Sequence, residues 1–340
     1  MKYEVLFSKF GADIELVVQK LREMYVNKLK IIQYTLYGEP ILKPYPLLRL
    51  SGRKIIGLPI KEDRIRYLEP VPHRRRILAV DASIKTLFNL GGSRIVVSKV
   101  TAGIWRGVEK IYSYGPVKRI GLVWSKEEAG EWLLRLEVEA AFQIAYRLRP
   151  GDYCLLDRSL SIPPLLKKST CELLDKLDRV VYARGAILVG LTKSSRLKLN
   201  TGESLVGYLI RQANRRLRGV AWYYYPVFKE QSLPKWFLGD IAVAKLGDEA
   251  EGAFRVDVSR RALRSRNMDR VLGELAFVQD LATPGYPYPL KAVHLESRIS
   301  DSELEIDRAL FLEILREEGL YEEFISDIHG ADFKERHLWS

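Results

Sequence analysis

A chain of 340 residues, 47% of them apolar, can bury a sizeable core as one large domain or two small ones, which excludes a short peptide module. Two cysteines, Cys154 and Cys171, are too few for a disulfide framework or a cysteine-built zinc site, so a reducing, cytoplasmic setting is expected. The formal net charge of +12 is uneven: residues 1–300 hold 51 Lys and Arg against 31 Asp and Glu, while residues 301–340 hold 12 acids against 4 bases. A body this basic attracts phosphate backbones; the same surplus also fits a charge-rich surface of the thermophile kind, since Met and Cys are scarce. No apolar run approaches the roughly 20 residues that cross a bilayer, and the opening MKYEVLFSKFGADIE turns acidic before any signal-type stretch, so neither membrane insertion nor export is expected.

In chain order, Ile14, Val17, Val18, Leu21, Met24, Tyr25 and Leu29 recur at three and four, which predicts an amphipathic helix from Asp13 to about Ile32. Prolines and glycines then punctuate ILKPYPLLRL and KIIGLPI, which read as irregular β structure; residues 1–72 are expected to form a helix and β arm. After Arg74, Arg75 and Arg76 comes ILAVDAS, a β-rich run ending in Asp81, followed by further strands in RIVVSKVTAGIW and RIGLVW. Helix formers fill 125–147, with acids in the first turns and bases in the last. Pro150-Gly151 ends that helix, YCLLDRS repeats the pattern of an apolar strand ending in an aspartate, here Asp157, and RVVYARGAILVGLTKSS passes from helix to a strand that ends near Lys193. A core over 73–300, with a basic and aromatic insertion at about 210–260, and an acidic helical segment over 301–340 complete the expected organisation.

Two strands that each end in an aspartate, joined by a helix bearing glutamates, bring several carboxylates to one edge of a sheet. Mg²⁺ and Mn²⁺ take oxygen ligands, and ions held this way activate water for attack on a phosphodiester. Each aspartate alone is as well explained as a helix cap or turn former. The helical acid is ambiguous: Glu137 and Glu139 lie two apart and point to different faces.

With those blocks in view, the chain resembles the NurA nucleases of archaea and some bacteria. The resemblance lies in AVDAS with Asp81, LEVEAAF with Glu139, LLDRSL with Asp157 and GYPYPLKAVH with Tyr286 and His294, over residues 75–300. Ala82 and Arg158 depart from it, standing where the family has glycines after the two aspartates. The resemblance implies an α/β fold: a ribonuclease-H-like core, a mixed central sheet flanked by helices, with an N-terminal helix and β arm and C-terminal helices. It implies a Mn²⁺-dependent (or Mg²⁺-dependent) DNA nuclease acting in end resection, repair and homologous recombination, a homodimer, and docking onto a hexameric HerA-type translocase. The resemblance, through the family's spacing to the two aspartates, implies Glu139 as the third ligand. His294 then completes the metal site or contacts phosphate, and Tyr286 and Lys193 bind phosphate. Asp257 in FRVDVSR reads as a salt-bridge partner of Arg255 or Arg260.

For gripping the strand, LIRQANRRLRGVAWYYYPVFK interleaves Arg215, Arg216 and Arg218 with Trp222 and Tyr224, a mixture suited to single-stranded DNA. Against this, WYYYPVF is also a good strand, half of whose rings point inward. Arg74, Arg75 and Arg76 are expected to line the path into the site. No Gly-x-x-x-x-Gly-Lys-Ser/Thr motif is present, so any ATP is used by a partner. A catalytically impaired adaptor of the same fold, and a ribonuclease, are the rival readings.

Overall fold

The computed structural model describes residues 53–161, 167–229 and 236–326, with 44–50, 233–234, 328 and three short pieces at 18–19, 33–34 and 40–41. The helix expected over Asp13–Ile32 lies outside the described residues except for helical Val18 and Gln19. Pro46–Leu50 pairs antiparallel with Arg53–Ile56 and with Lys198–Leu199, in keeping with short β segments in the arm.

Among the described residues nine strands form one mixed sheet: β1 (Ile65–Tyr67), β2 (Arg76–Asn89), β3 (Arg94–Arg106), β4 (Glu109–Val123), β5 (Tyr153–Leu156), β6 (Ile187–Thr192), β7 (Trp222–Tyr224), β8 (Gly239–Lys245) and β9 (Phe254–Ser259). Their order is β1-β7-β8-β9-β6-β5-β2-β3-β4. β5 lies parallel to both β2 and β6, and the remaining pairs are antiparallel. An antiparallel meander, β2 to β4, followed by two parallel strands reached through helices is the ribonuclease-H-like core. The stretch 210–260, expected as an insertion, supplies β7, β8 and β9 to the same sheet.

Continuous apolar runs mark strands buried on both faces. In β2, Ile77 and Ala79 join one core cluster, with Tyr153 and Leu155 of β5, while Leu78, Val80 and Ala82 join another, with Cys154 and Leu156. The first face is covered by α4 (Met268–Phe277) and α5 (Tyr288–Ser297), the second by α1 (Lys126–Ala145) and α2 (Lys168–Ala183); α3 (Leu205–Ala213) covers a third cluster under β7 and β8. Ser125 caps α1 by accepting from the Glu128 backbone N–H at 3.0 Å, above an acidic first turn that suits the helix dipole. The acidic segment begins with α6 (Asp301–Glu317), whose Ser300–Glu303 capping box is complete. Its acids meet the chain's own lysines: Lys85–Asp301 at 2.6 Å, Lys99–Glu303 at 2.9 Å and Lys118–Asp307 at 2.9 Å. Among the described residues no helix is long and apolar enough to cross a membrane.

Candidate metal centre

Register brings the two aspartates together. Val80 of β2 pairs with Leu156 of β5 across the parallel ladder, so the next residue on each strand, Asp81 and Asp157, sits side by side at one end of the pair. Strand alternation puts Asp81 on the face of Ile77 and Ala79, the face on which α5 packs. There His294 Nδ1 lies 2.8 Å from Asp81 Oδ2, and Ser297 donates its hydroxyl to the same oxygen at 3.2 Å. Ligand atoms of Asp81, Asp157 and His294 all fall within 4.8 Å of one another.

The loop after Asp157 is fixed by two features of neighbouring strands. A β-carbon on Gly190 of β6 would stand 2.2 Å from the Arg158 carbonyl oxygen, so only glycine lets the loop cross there. Buried Asp257 accepts from the Leu160 backbone N–H at 2.9 Å while held by the Arg255 fork at 2.7 and 2.8 Å. Of the two partners its sequence position offers, Arg255 is the one it takes, while Arg260 binds Asp240.

Lys193, just past β6, pairs with Asp157 at 2.6 Å and lies 4.7 Å from the centre of the Tyr286 ring. Tyr286 is buried in the core cluster between this lysine and Phe254. Burial first, then the Asp157 and Asp81 carboxylates, push its phenol far up, so it keeps its proton, and its hydroxyl is shut off from solvent. Burial and then Asp157 also raise the Asp81 carboxyl, against the opposing pull of His294 and Lys193. Acids crowded and buried in this way form an environment that a hard divalent cation relieves, and two carboxylates with an imidazole are a donor set such a cation accepts. By these criteria the residues fit a metal ion.

The helical acid at the site is Glu137, which corrects the choice of Glu139. Leu134, Val138, Ala141 and Ala145 of α1 face the sheet, and Glu137 lies three after the first and four before the third, on that stripe. Its buried carboxylate takes both arms of the Arg158 fork, Nη2 at 2.6 Å to Oε1 and Nε to Oε2. Burial pushes the Glu137 carboxyl up to about 7, with Arg158 opposing and Asp81 and Asp157 adding to the rise. Glu139 is exposed and lines a separate groove with Trp132, Arg135 and Lys167. The apolar neighbours of Glu137 in LEVEAAF carried that signal; Arg158 was marked only as a departure from the resembled motif, and nothing in the sequence pointed to Ser297. Ala82 packs within a strand beside Val100, where no glycine is needed.

Two further expectations are corrected. Arg76 is buried and bound to Asp152 through Nε at 2.9 Å and Nη2 at 2.7 Å, and Arg75 holds Glu274 at 2.9 Å and the Gly151 carbonyl at 2.8 Å. These two, with exposed Arg74, stand at the start of β2, five to seven residues and roughly 17–23 Å of strand before Asp81, so they do not line the site. Trp222 and Tyr224 are fully buried, because β7 is paired on both sides and its alternate rings fill clusters on opposite faces. They cannot stack on bases. Arg215, Arg216 and Arg218 are exposed in the turns after α3, and Arg216 reaches the Glu62 carbonyl just before β1, at the far edge of the sheet.

Strand order and site together define a ribonuclease-H-like fold carrying a carboxylate–histidine centre. Among solved structures the chain is similar to the NurA nuclease from Sulfolobus solfataricus, at 14% identity over 76% of this chain and 89% of that one, with a TM-score of 0.55. Looser likenesses are to NurA bound to dAMP and manganese (10% identity, 70% and 87% covered, TM-score 0.45) and to human ENDOV (14%, 72% and 94%, 0.40). At such identities the likeness is one of fold. No protein-family model matches the chain, and no curated protein matches it in sequence.

Proposed function

We propose that the protein is a metal-dependent DNA nuclease, with Asp81, Asp157 and His294 holding the ion. The observation that carries this reading is the convergence of those three ligand atoms within 4.8 Å from segments far apart in the chain. The nuclease fold it shares with the Sulfolobus protein and the four-block resemblance to NurA support it. Mn²⁺ is the preferred ion and Mg²⁺ the second choice. When bound, the ion supplies Lewis acidity for water and charge neutralisation for phosphate. Asp81 fixes the His294 ring, leaving Nε2 as the ring nitrogen for an ion or a phosphate oxygen. Lys193 offers a point charge to the phosphate where charge develops as the P–O bond breaks, and the protonated Tyr286 sits buried behind it. Substrates are single strands and duplex ends, with Arg215, Arg216 and Arg218 as a distal backbone contact. A homodimer working beside a HerA-type hexameric translocase in end resection is the cellular setting.

The test is cleavage of linear single- and double-stranded DNA by the full chain with Mn²⁺, against chelator and Asp81→Ala controls. Metal-dependent cleavage lost in the variant is expected; none with either polymer overturns the reading. The Arg158–Glu137 pair favours a second reading, an adaptor of low turnover, which the same assay would reveal as DNA binding without cleavage. RNA offered in parallel separates the ribonuclease alternative.

A further inference from the structure

The carboxylates around Asp81 are not equivalent. Asp157 shares an ion-sized space with Asp81 and His294, and Lys193, a side chain 41% exposed, meets it through one ammonium contact. Such a contact is a point charge on a flexible stem, easily exchanged for a metal. Glu137 is outside that ligand group and is held differently: both its oxygens lie on one planar guanidinium, on a carboxylate only 4% exposed. A bidentate pair of this kind is geometrically fixed, and the guanidinium never gives up its charge. Phosphodiesterases that use two ions about 4 Å apart need free carboxylate oxygens for each. Here both oxygens of Glu137, a third carboxylate close enough to feel the Asp81 and Asp157 charges, are already occupied, and by a residue standing where the resembled motif has a glycine, which could occupy nothing.

We infer that Arg158 takes the place of a second cation: the centre holds one divalent ion, among Asp81, Asp157 and His294, and the Arg158 guanidinium supplies the other positive charge. This rests on the reading of the centre as a metal site for phosphodiester cleavage. It makes Arg158 a built-in, non-exchangeable part of the charge that faces the substrate. It also makes Glu137 a positioning residue, acting through Arg158 rather than as a ligand.

The experiment is a Mn²⁺ titration of the full chain, read by calorimetry and by the electron paramagnetic resonance signal of free Mn²⁺. One ion per chain is expected in the wild type, two in Arg158→Gly, and one again in Arg158→Gly/Glu137→Gln. Glu137→Gln alone, an isosteric change that needs no refolding of the site, keeps one ion. Two ions in the wild type, one ion in Arg158→Gly, or loss of the wild-type ion in Glu137→Gln would each overturn the assignment while leaving the metal centre intact. Should Arg158→Gly not fold, the wild type and Glu137→Gln still decide. No Mn²⁺ in any folded variant would instead remove the metal reading itself.

Discussion

His294 Nδ1 and Asp81 Oδ2 stand 2.8 Å apart although 213 residues separate them in the chain. The contact exists because α5 packs on the face of β2 that carries Asp81, and Ser297, one turn on, holds the same carboxylate oxygen. An imidazole oriented by a carboxylate has one nitrogen committed and one directed to chemistry. Asp81→Asn should therefore cost about 10³-fold or more in cleavage, since it removes a ligand and the orienting group together. His294→Ala should weaken Mn²⁺ binding by about 10- to 100-fold. Cleavage rates and Mn²⁺ titrations check both; an Asp81→Asn enzyme with a tenth of its activity left would place the chemistry elsewhere.

The two neighbouring acids of α1 should separate cleanly. Glu139→Gln, on the exposed side, is expected to leave cleavage within about twofold and stability within about 0.5 kcal/mol. Glu137→Ala leaves the Arg158 guanidinium without its partner at a site where the arginine side chain is 23% exposed. Breaking a fully buried pair costs about 3–5 kcal/mol, and partial access of water lowers this to about 2–3. Urea unfolding midpoints of the two variants provide the comparison.

Lys193 gives the opposite dissociation. Its bridge to Asp157 is short, but the lysine is largely exposed, and ion pairs in that setting contribute little to stability. As a charge beside the phosphate, however, it is expected to be worth about 10²-fold in rate. Lys193→Ala should melt close to the wild-type temperature while cleaving DNA far more slowly, with Lys193→Arg recovering part of the loss. An equal fall in both would make the lysine structural.

What was legible in the sequence were features written in local pattern. ILAVDAS and YCLLDRS announce buried strands, the second stopping at its acid while the first runs on past Asp81 to Asn89, and helix formers behind an acidic first turn announce α1, whose last turn carries no base. The partnership of Asp81 and Asp157 followed from two such strands with a helix between them. What failed was sidedness. Arg76 begins the strand that carries Asp81 but stands five residues before it, and Trp222 and Tyr224 share one face of their strand while Tyr223 takes the other, yet both faces are covered. Glu137 against Glu139 was decidable from the apolar stripe of the helix, and spacing to the aspartates was the weaker guide. Arg158 was visible only as a departure from a motif, because its role depends on a carboxylate 21 residues away.

For DNA contact, rings and arginines of the same segment should now part company. Trp222→Ala removes a fully buried ring and should cost about 3–5 kcal/mol of stability. Replacing Arg215, Arg216 and Arg218 together by Gln should leave unfolding nearly unchanged. If all three meet phosphates, the slope of log affinity against log salt should shallow by about 2, at about 0.7 per single-strand contact. Fluorescence anisotropy with labelled oligonucleotides over a salt series measures this; an unchanged slope assigns DNA to another face.

Acid should loosen α6 first. The Glu303 carboxyl is held down to about 2, chiefly by the Ser300 backbone N–H of the capping box and next by Lys99 on β3. Because the folded value lies below the ordinary 4.5, the unfolded chain takes up the proton first as pH falls. The stabilisation is thus complete above pH 4.5 and is lost progressively between 4.5 and about 2. Asp301, held low by Lys85, adds a slope of the same sign. Glu303→Gln should flatten that part of the stability–pH curve and expose amides of α6 to hydrogen exchange already at neutral pH, whereas Lys99→Met should do so only in part, since it leaves the capping box intact. If the acid slope persists in Glu303→Gln, the α6 contacts with β2 and β3 are carried by the apolar packing of Leu304 against Leu87 and Val97 rather than by these charges.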